Sequence, residues 1–467
     1  MVKYWLTMNV KTRMAPSPTG EYHVGHIRTV LYNWAFARQN NGEFIIRIED
    51  TDRERFVEGA TERILEVIKD YGFDWDEGPI YQSKRLDIYK KYSEELVEKG
   101  HAYYCFCSAE RLKKLREEQR AQKMPVTKYD RHCLNLSKEE VEKRLKSEPH
   151  VIRLKVPDNK KIVYEDVVYG KVEVNSSDLD DQILIKSDGF PTYHFAVVVD
   201  DHLMEITYVM RGNDWLPSTP KHVILYEAFG WKLPVYVHLP NLKELGKTTK
   251  LSKRMGPVSA REFLDEGYLP EAVDNFLMLL GWNPGTEQEI FSLDEFIKRF
   301  DINKIHKTDL VAFDRKKLNW MNSEYIKNTT DEELSNLINN FFENKYDLEK
   351  VKQITPLVKT RISTLKEFDN LTKFFFESPT VDQKLFGENY KDHLIKTIEV
   401  LEKIENWELG VINDELMKVV KSNDFHTGKF FMNLRVAVTG QKVTPPFNES
   451  IAILGKEETL KRMKSCL

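Results

Sequence analysis

Residues 13–28 read Arg-Met-Ala-Pro-Ser-Pro-Thr-Gly-Glu-Tyr-His-Val-Gly-His-Ile-Arg, and they leave the chain few ways to fold. Residues 10–14 have the character of a short strand. Pro16, Ser17, Pro18, Thr19 and Gly20 stop that strand and turn the chain. Ile27, Val30, Leu31, Trp34, Ala35 and Ala37 then recur at helical spacing. The segment is therefore strand, tight loop, helix, with His23 and His26 at the first helical turn. Free backbone N–H groups and the helix dipole make such an end a seat for phosphate. Two imidazoles add hydrogen-bond donors, and Gly25 lets a flat ring approach the backbone. Two solvated surface histidines are the plain alternative.

The pattern continues as a parallel α/β sheet. Residues 44–49 predict a second strand, followed by Asp50-Thr51-Asp52, where Thr51 or Asp52 can cap what comes next. Residues 60–71 and 89–100 predict helices, the second closed by Gly100. In such sheets the ligand sits beyond the carboxyl ends of the strands, where both the loop after Met14 and Glu49 fall. The register then breaks. Residues 103–163 carry Cys105, Cys107, a charged helix at 110–123, a loop near Pro125 and Cys133; residues 151–156 and 162–168 read as strands, and the whole reads as an α+β insertion. Strand character returns at 182–185 and 188–195, with a turn at Asp188-Gly189. Residues 197–199 and 206–210 read as buried strands of the main sheet, with Arg211 to Trp215 at the carboxyl end of the latter. A helix at 219–229 ends near Gly230. Beyond about 257 the pattern is almost wholly helical, as at 270–280, 293–299, 331–343, 354–370 and 393–404.

A chain of 467 residues exceeds one hydrophobic core and suggests about three domains. A formal charge of -4 means that any nucleic-acid binding must come from local basic patches. No run of about 18 apolar residues predicts a membrane span. Residues 1–9 lack both a signal-peptide apolar core and a transit-peptide composition. Four Cys in this length point to a reducing cytoplasm, not a disulfide framework.

A second stretch sharpens the first. Gly246-Lys247-Thr248-Thr249 leads into Lys250-Leu251-Ser252-Lys253-Arg254, a composition suited to a mobile loop that closes on triphosphate, or else to a solvated basic turn. Together, His23-Val24-Gly25-His26 and Lys250-Leu251-Ser252-Lys253-Arg254 resemble the paired His-Ile-Gly-His and Lys-Met-Ser-Lys-Ser motifs of class I aminoacyl-tRNA synthetases. The preceding Arg-x-Ala-Pro-Ser-Pro-Thr-Gly is similar to bacterial-type glutamyl-tRNA synthetases. The resemblance covers most of the chain and thins over the last hundred or so residues. It implies an α/β Rossmann-type catalytic core (10–104 and 188–245) with an α+β insertion that grips the acceptor end (105–187). All-α stem-contact (246–325) and anticodon-binding (326–467) domains follow. Glutaminyl-type relatives carry β-barrels in the last region, and this chain lacks their short alternating strands.

A glutamate site needs cations for the side-chain carboxylate and an anion for the α-ammonium. Arg13 and Arg211 fall at strand ends and offer the better carboxylate fork, Glu49 suits the ammonium, and Tyr193 adds a hydroxyl. With Ser17 they match the family's substrate pattern one by one; Val197 stands where some relatives carry Asn. A lone strand-end Arg is otherwise a surface ion pair worth about 0–1 kcal/mol. The resemblance implies ATP and Mg²⁺. It assigns charge stabilisation to His23, His26, Lys250 and Lys253, and adds Gly25 and Ser252 to the ATP site. It also implies transfer to a ribose 2′-hydroxyl and a need for tRNA even in the first step, with Asp214 against the terminal adenosine.

Cys105, Cys107, Tyr129 and Cys133 resemble a structural Zn²⁺ knuckle, with His132 the other choice for the fourth ligand and Asn135 where some relatives place His. Cys466 reads as an idle exposed thiol. Candidate tRNA contacts are Arg315, Lys316 and Lys317 before Trp320-Met321-Asn322, then Lys359, Arg361 and Lys366; for any one of them a solvated helix face is the competing reading. Arg361 matches an Arg that, in the family, helps decide whether the third anticodon base must be C, which favours a tRNA(Glu)-only enzyme. The reading is thus a cytoplasmic, monomeric ligase of L-glutamate, ATP and tRNA(Glu), without membrane partners. Alternatives are an enzyme that also charges tRNA(Gln), a non-catalytic tRNA-binding paralogue, or a nucleotidyltransferase sharing only the first motif. The large helical C-terminal half argues against the last, and against a truncated relative that modifies a tRNA base.

Overall fold

The computed structural model describes residues 9–124, 127–249, 251 and 258–467. The loop expected near Pro125, and Lys250, Ser252, Lys253 and Arg254 of the second motif, lie outside the described residues. The chain divides into two compact units, Met1–Arg261 with Asp274–Asp314, and Glu262–Val273 with Arg315–Leu467.

In the first unit, β1 (Lys11–Met14), β2 (Glu43–Ile48) and β3 (Glu77–Tyr81) form a parallel sheet in that order. Helix α1 (Val24–Gln39) joins β1 to β2, and α2 (Ala60–Asp70) joins β2 to β3. Helix α1 is buried on nearly every side, so its apolar pattern is continuous and not one-faced. Arg28, two residues beyond His26, is buried there and donates to the carbonyls of Pro240 and Leu280. After α3 (Leu86–Glu98) come β4 (Ala102–Cys105), α4 (Ala109–Ala121), α5 (Lys138–Leu145) and β5 (Val151–Leu154). Next are β6 (Lys161–Asp166), β7 (Gly170–Asn175) and β8 (Ile183–Ile185), with β4-β5-β8 a separate antiparallel sheet.

Helix α6 (Tyr193–Leu203), β9 (Tyr208–Gly212), α7 (Thr219–Phe229) and β10 (Val235–Leu239) complete the core. The second large sheet runs β7-β6-β10-β9, so β6 pairs in parallel with β10 while β7 returns antiparallel. Thr207, just before β9, donates its N–H to the Lys11 carbonyl, which sets β9 beside β1. A single core holds Tyr89 and Leu96 of α3, Ile152 and Leu154 of β5, Ile162 and Tyr164 of β6, and the apolar faces of α6 and α7. A short parallel pair, β11 (Asn241–Glu244) with β12 (Leu310–Phe313), closes the unit.

The second unit is helical and holds two apolar clusters, one around Ile338, Val351, Ile354 and Phe368, the other around Leu401, Leu416, Phe430 and Leu434. No helix among the described residues is long and apolar enough to cross a membrane.

Two expectations are corrected. Residues 197–199 are not a strand but lie within α6, and strand character in 188–195 stops before Tyr193. Phe195 to Val199 are all buried, and a continuous apolar run carries no period that separates a buried helix from a buried strand. The helix expected at 354–370 is two, Leu348–Val358 and Glu367–Thr372, with Arg361 on the link. Buried Ile362 and Leu365 kept the periodicity alive across the break.

Candidate active site

A cavity of about 1130 Å³ opens where the carboxyl ends of β1, β2 and β9 converge, and Arg13, Ser17, His26, Glu49, Tyr193 and Arg211 all line it. The loop after β1 is tied down by backbone bonds. Glu49 N–H donates to the Pro16 carbonyl at 2.9 Å, and Val57 N–H to Pro18 at 3.0 Å. Thus the Pro-Ser-Pro turn, read as a strand stop, also fixes the start of the segment carrying Glu49.

His23 does not line the cavity. It is the N-cap of α1, and its Nδ1 accepts from Gly25 N–H at 2.9 Å. That bond puts the remaining proton on Nε2. A Cβ at Gly25 would sit 3.2 Å from His23 Nδ1, so the glycine makes room for this cap. His26 is exposed to the cleft, its ring 6.2 Å from that of His23. Surrounding protein lowers its pKa, and the Asp214 charge opposes this. Asp214 lies outside the cavity lining and is hydrogen-bonded by Asn241.

The two arginines are held by partners the sequence did not announce. Arg13 donates to Asp201 through Nε at 3.1 Å and Nη2 at 3.4 Å. Arg47, fully buried, donates to Asp201 at 2.7 Å and to Glu49 at 3.0 Å, and its Nε lies 3.8 Å from Asp200. Asp200 also accepts from Gln82, Arg85 and Tyr89 at 2.7–2.9 Å. Burial alone would raise the Asp201 pKa, but Arg13 and Arg47 carry it below the ordinary value. Glu49 ends above its ordinary value because burial outweighs the same two cations. Three cations and three carboxylates therefore form one buried network behind the cavity floor.

Arg211 is buried and donates to four groups: Nε to His238 Nε2 at 3.2 Å, Nη2 to Thr219 Oγ1 at 2.8 Å and His222 Nδ1 at 3.4 Å, and Nη1 to Tyr193 Oη at 3.3 Å. His238 in turn meets Asp166 Oδ2 at 2.6 Å, with both side chains wholly inaccessible. The Tyr193 ring lies against Trp215, centroids 4.2 Å apart. Val197 is buried within α6. A histidine beside Arg211 was findable in principle from the parallel register that pairs His238 with it; no sequence motif marks Asp166.

In the β4-β5-β8 layer, the sulfurs of Cys105, Cys107 and Cys133 lie within 4.8 Å of one another. Tyr129 Oη is 3.3 Å from Cys105 Sγ and 3.2 Å from Cys107 Sγ. Burial pushes the Cys107 thiol up to about 11. Cys105 moves the other way: burial is outweighed by hydrogen bonding with Tyr129, with the Cys107 backbone and with Arg153. Three soft donors and one hydroxyl make a tetrahedral set that suits Zn²⁺. His132 is exposed and outside the cluster. Cys466 is half-buried, its Sγ 3.8 Å from the Ala437 carbonyl.

In the helical unit Arg361 is exposed and close enough to Arg435 to depress that guanidinium's pKa further, beyond the effect of burial. Lys359 and Lys366 are instead paired, with Asp331 and Glu266, each at 2.9 Å. Trp320 presents an exposed ring, and Arg315, Lys316 and Lys317 open the same helix.

Residues 9–320 match the family described as tRNA synthetases class I (E and Q), catalytic domain, and residues 332–467 match an anticodon binding domain. The chain is 46% identical to a glutamate–tRNA ligase of Clostridium tetani, over 97% of this chain and 96% of that one. It is 44% identical to one from Clostridioides difficile, covering 98% of each. The crystal structure of a glutamate tRNA ligase from Elizabethkingia meningosepticum in complex with its amino acid superposes with a TM-score of 0.88 at 36% identity, over 98% of this chain and 99% of that one.

Proposed function

The chain belongs to the class I tRNA synthetases of the glutamate and glutamine group, and from that premise we propose that it joins L-glutamate to the 3′ end of tRNA(Glu) through a glutamyl-adenylate. The observation that carries the amino-acid site is the meeting of Arg13, Glu49, Tyr193 and Arg211 around one cavity beside the first turn of α1. Arg13 and Arg211 take the substrate carboxylates, Glu49 takes the α-ammonium, and Tyr193 and Ser17 complete the fit. The paired cations and anion match a zwitterion with an extra negative charge.

In the first step a glutamate carboxylate oxygen attacks the α-phosphorus of ATP and pyrophosphate leaves. The protein's task is to align the two and spread the developing charge. His26 and the N–H groups at the α1 terminus face that charge; His23 holds the terminus in shape and, with Gly25, borders the nucleotide. Lys250, Ser252 and Lys253 are assigned to the triphosphate on sequence grounds alone. Mg²⁺ arrives with ATP and neutralises phosphate oxygens when bound. In the second step a ribose hydroxyl of the terminal adenosine attacks the acyl carbon and AMP leaves, with Asp214 at the mouth of the site.

We divide the chain into a catalytic core (10–104, 188–245), an acceptor-end insertion (105–187), a stem-contact region (246–325) and an anticodon-binding region (326–467), and place it in the cytoplasm as a monomer. Exposed Arg361 supports the tRNA(Glu)-only reading. Purified protein with ATP, Mg²⁺ and labelled glutamate is expected to charge a tRNA(Glu) transcript and leave tRNA(Gln) uncharged. Arg361→Ala is expected to narrow that difference. Charging of both by the unaltered protein would remove the role given to Arg361. Charging of neither, despite binding, would favour a non-catalytic paralogue.

Zn²⁺ fits the Cys105, Cys107, Cys133 and Tyr129 set, where it would brace the insertion. Metal analysis of protein purified without chelators is expected to find a single zinc per chain, and Cys133→Ser is expected to lose it. A metal-free wild-type protein would leave the four residues as a packed thiol cluster.

A further inference from the structure

Three strands place Asp166, His238 and Arg211 in a row. His238 and Arg211 are register partners in the parallel pair β10/β9, and Asp166 ends β6 on the other side of β10. The bonds along the row have fixed polarity. Arg211 Nε carries a proton and can only donate, so His238 Nε2, which faces it and also lies 3.2 Å from Thr219 Oγ1, offers it a lone pair. The imidazole proton then sits on Nδ1, facing Asp166 Oδ2 at 2.6 Å. Asp166 cannot swing away, because its Oδ1 accepts from the N–H groups of Val168 and Tyr169, each at 2.9 Å.

We propose that Asp166 and His238 are positioning residues for the amino-acid site: Asp166 selects the His238 tautomer, and that tautomer holds the Arg211 guanidinium with its Nη1 edge and Tyr193 toward the substrate carboxylate. The opposite tautomer would set an N–H of His238 against the N–H of Arg211 and push the guanidinium off its seat. A second proton would do the same by charge. Burial lowers the His238 pKa against the pull of the Asp166 hydrogen bond, and the Arg211 charge lowers it further. The remaining donors of Arg211 go to Thr219, His222 and Tyr193, so the plane of the guanidinium is set on its inner side before substrate arrives. Preorganisation of this kind lowers the cost of binding. The inference rests on the assignment of Arg211 to a glutamate carboxylate.

The polarity argument makes the test specific. In Asp166→Asn the oxygen must stay with the two backbone N–H groups, so the amide NH₂ turns to His238 Nδ1 and forces its proton to Nε2. The variant has the same shape and the wrong tautomer. It is expected to raise the KM for glutamate by about tenfold or more while the KM for ATP stays within about twofold, since small displacements of a positioning group cost that much or more. His238→Gln puts an amide oxygen near the former Nε2 and has no ring tautomer to set. It is expected to stay within about threefold of wild type while Asp166 takes the Gln NH₂; adding Asp166→Asn turns that amide round, sets its NH₂ against the Arg211 Nε–H, and is expected to bring back the rise in glutamate KM. Arg211→Ala is the reference for the site. If it impairs glutamate use and Asp166→Asn does not, the positioning role is wrong. If Arg211→Ala itself leaves the glutamate KM unchanged, the amino-acid site has been placed wrongly. A fall in melting temperature with both KM values moving together would make the row purely structural and overturn the proposal. Should Asp166→Asn not fold, His238→Asn, which keeps a donor for Asp166 and has nothing to offer Arg211, is read in the same way.

Discussion

Arg47→Met is expected to cost about 3–5 kcal/mol of the stability of the catalytic unit, the penalty for stranding buried charge. Arg47 is wholly inaccessible and serves Asp201 and Glu49 directly, with Asp200 close by. Asp200 keeps Arg85, Gln82 and Tyr89, and Asp201 keeps Arg13, but Glu49 would lose the guanidinium that donates to it. Methionine matches the volume and supplies none of the charge. The urea midpoint of the first unfolding transition reads the effect. Arg85→Met, at a site open to water on one side, is expected to cost less than half as much. Equal midpoints for Arg47→Met and wild type would show that the carboxylates neutralise themselves by taking up protons.

Glu49→Gln should be nearly silent in stability and severe in activity. The amide oxygen can still accept from Arg47, so the buried bond survives without the negative charge. If Glu49 faces the substrate ammonium, that contact loses its ionic part, worth about 1.5–3 kcal/mol for a charged hydrogen bond. The expected result is a drop of about 10–100-fold in kcat/KM for glutamate, with the ATP KM little changed. Pyrophosphate exchange in the presence of tRNA separates this from a defect in transfer. Wild-type kcat/KM in the variant would move the ammonium partner elsewhere.

Both variants act on a network that was half legible in the sequence. The strand ends at Arg13, Glu49 and Arg211 could be read because proline, turn residues and a new apolar period mark where each strand stops. The groups that hold them could not. Asp200 and Asp201 sit in an apolar run, Phe195 to Val199 and onward, that reads equally as strand or helix until its neighbours are known. As a strand they would point to opposite faces; on a helix they lie about 100° apart, close enough for both to reach Arg47. Asp166 lay within what looked like an insertion, and only the parallel pairing of β6 with β10 brings it beside the site. His23 was read as a phosphate donor from its spacing, and its structural duty as a helix cap follows from backbone angles the sequence does not display. The cysteine set was legible because thiol spacing is a local signal.

The bond from Arg13 to Asp201 joins residues 188 positions apart. A ribosome adds about 5–20 residues each second, so on the order of 10 s or more separates the appearance of the arginine from that of its carboxylate. During that interval β1, β2 and β3 can pair, but Arg13 waits without its carboxylate and Arg47 has only Glu49 of its three. The substrate site is therefore among the last parts of the catalytic unit to mature during synthesis, and a chain stalled before residue 201 carries the first signature motif without a pocket to use it.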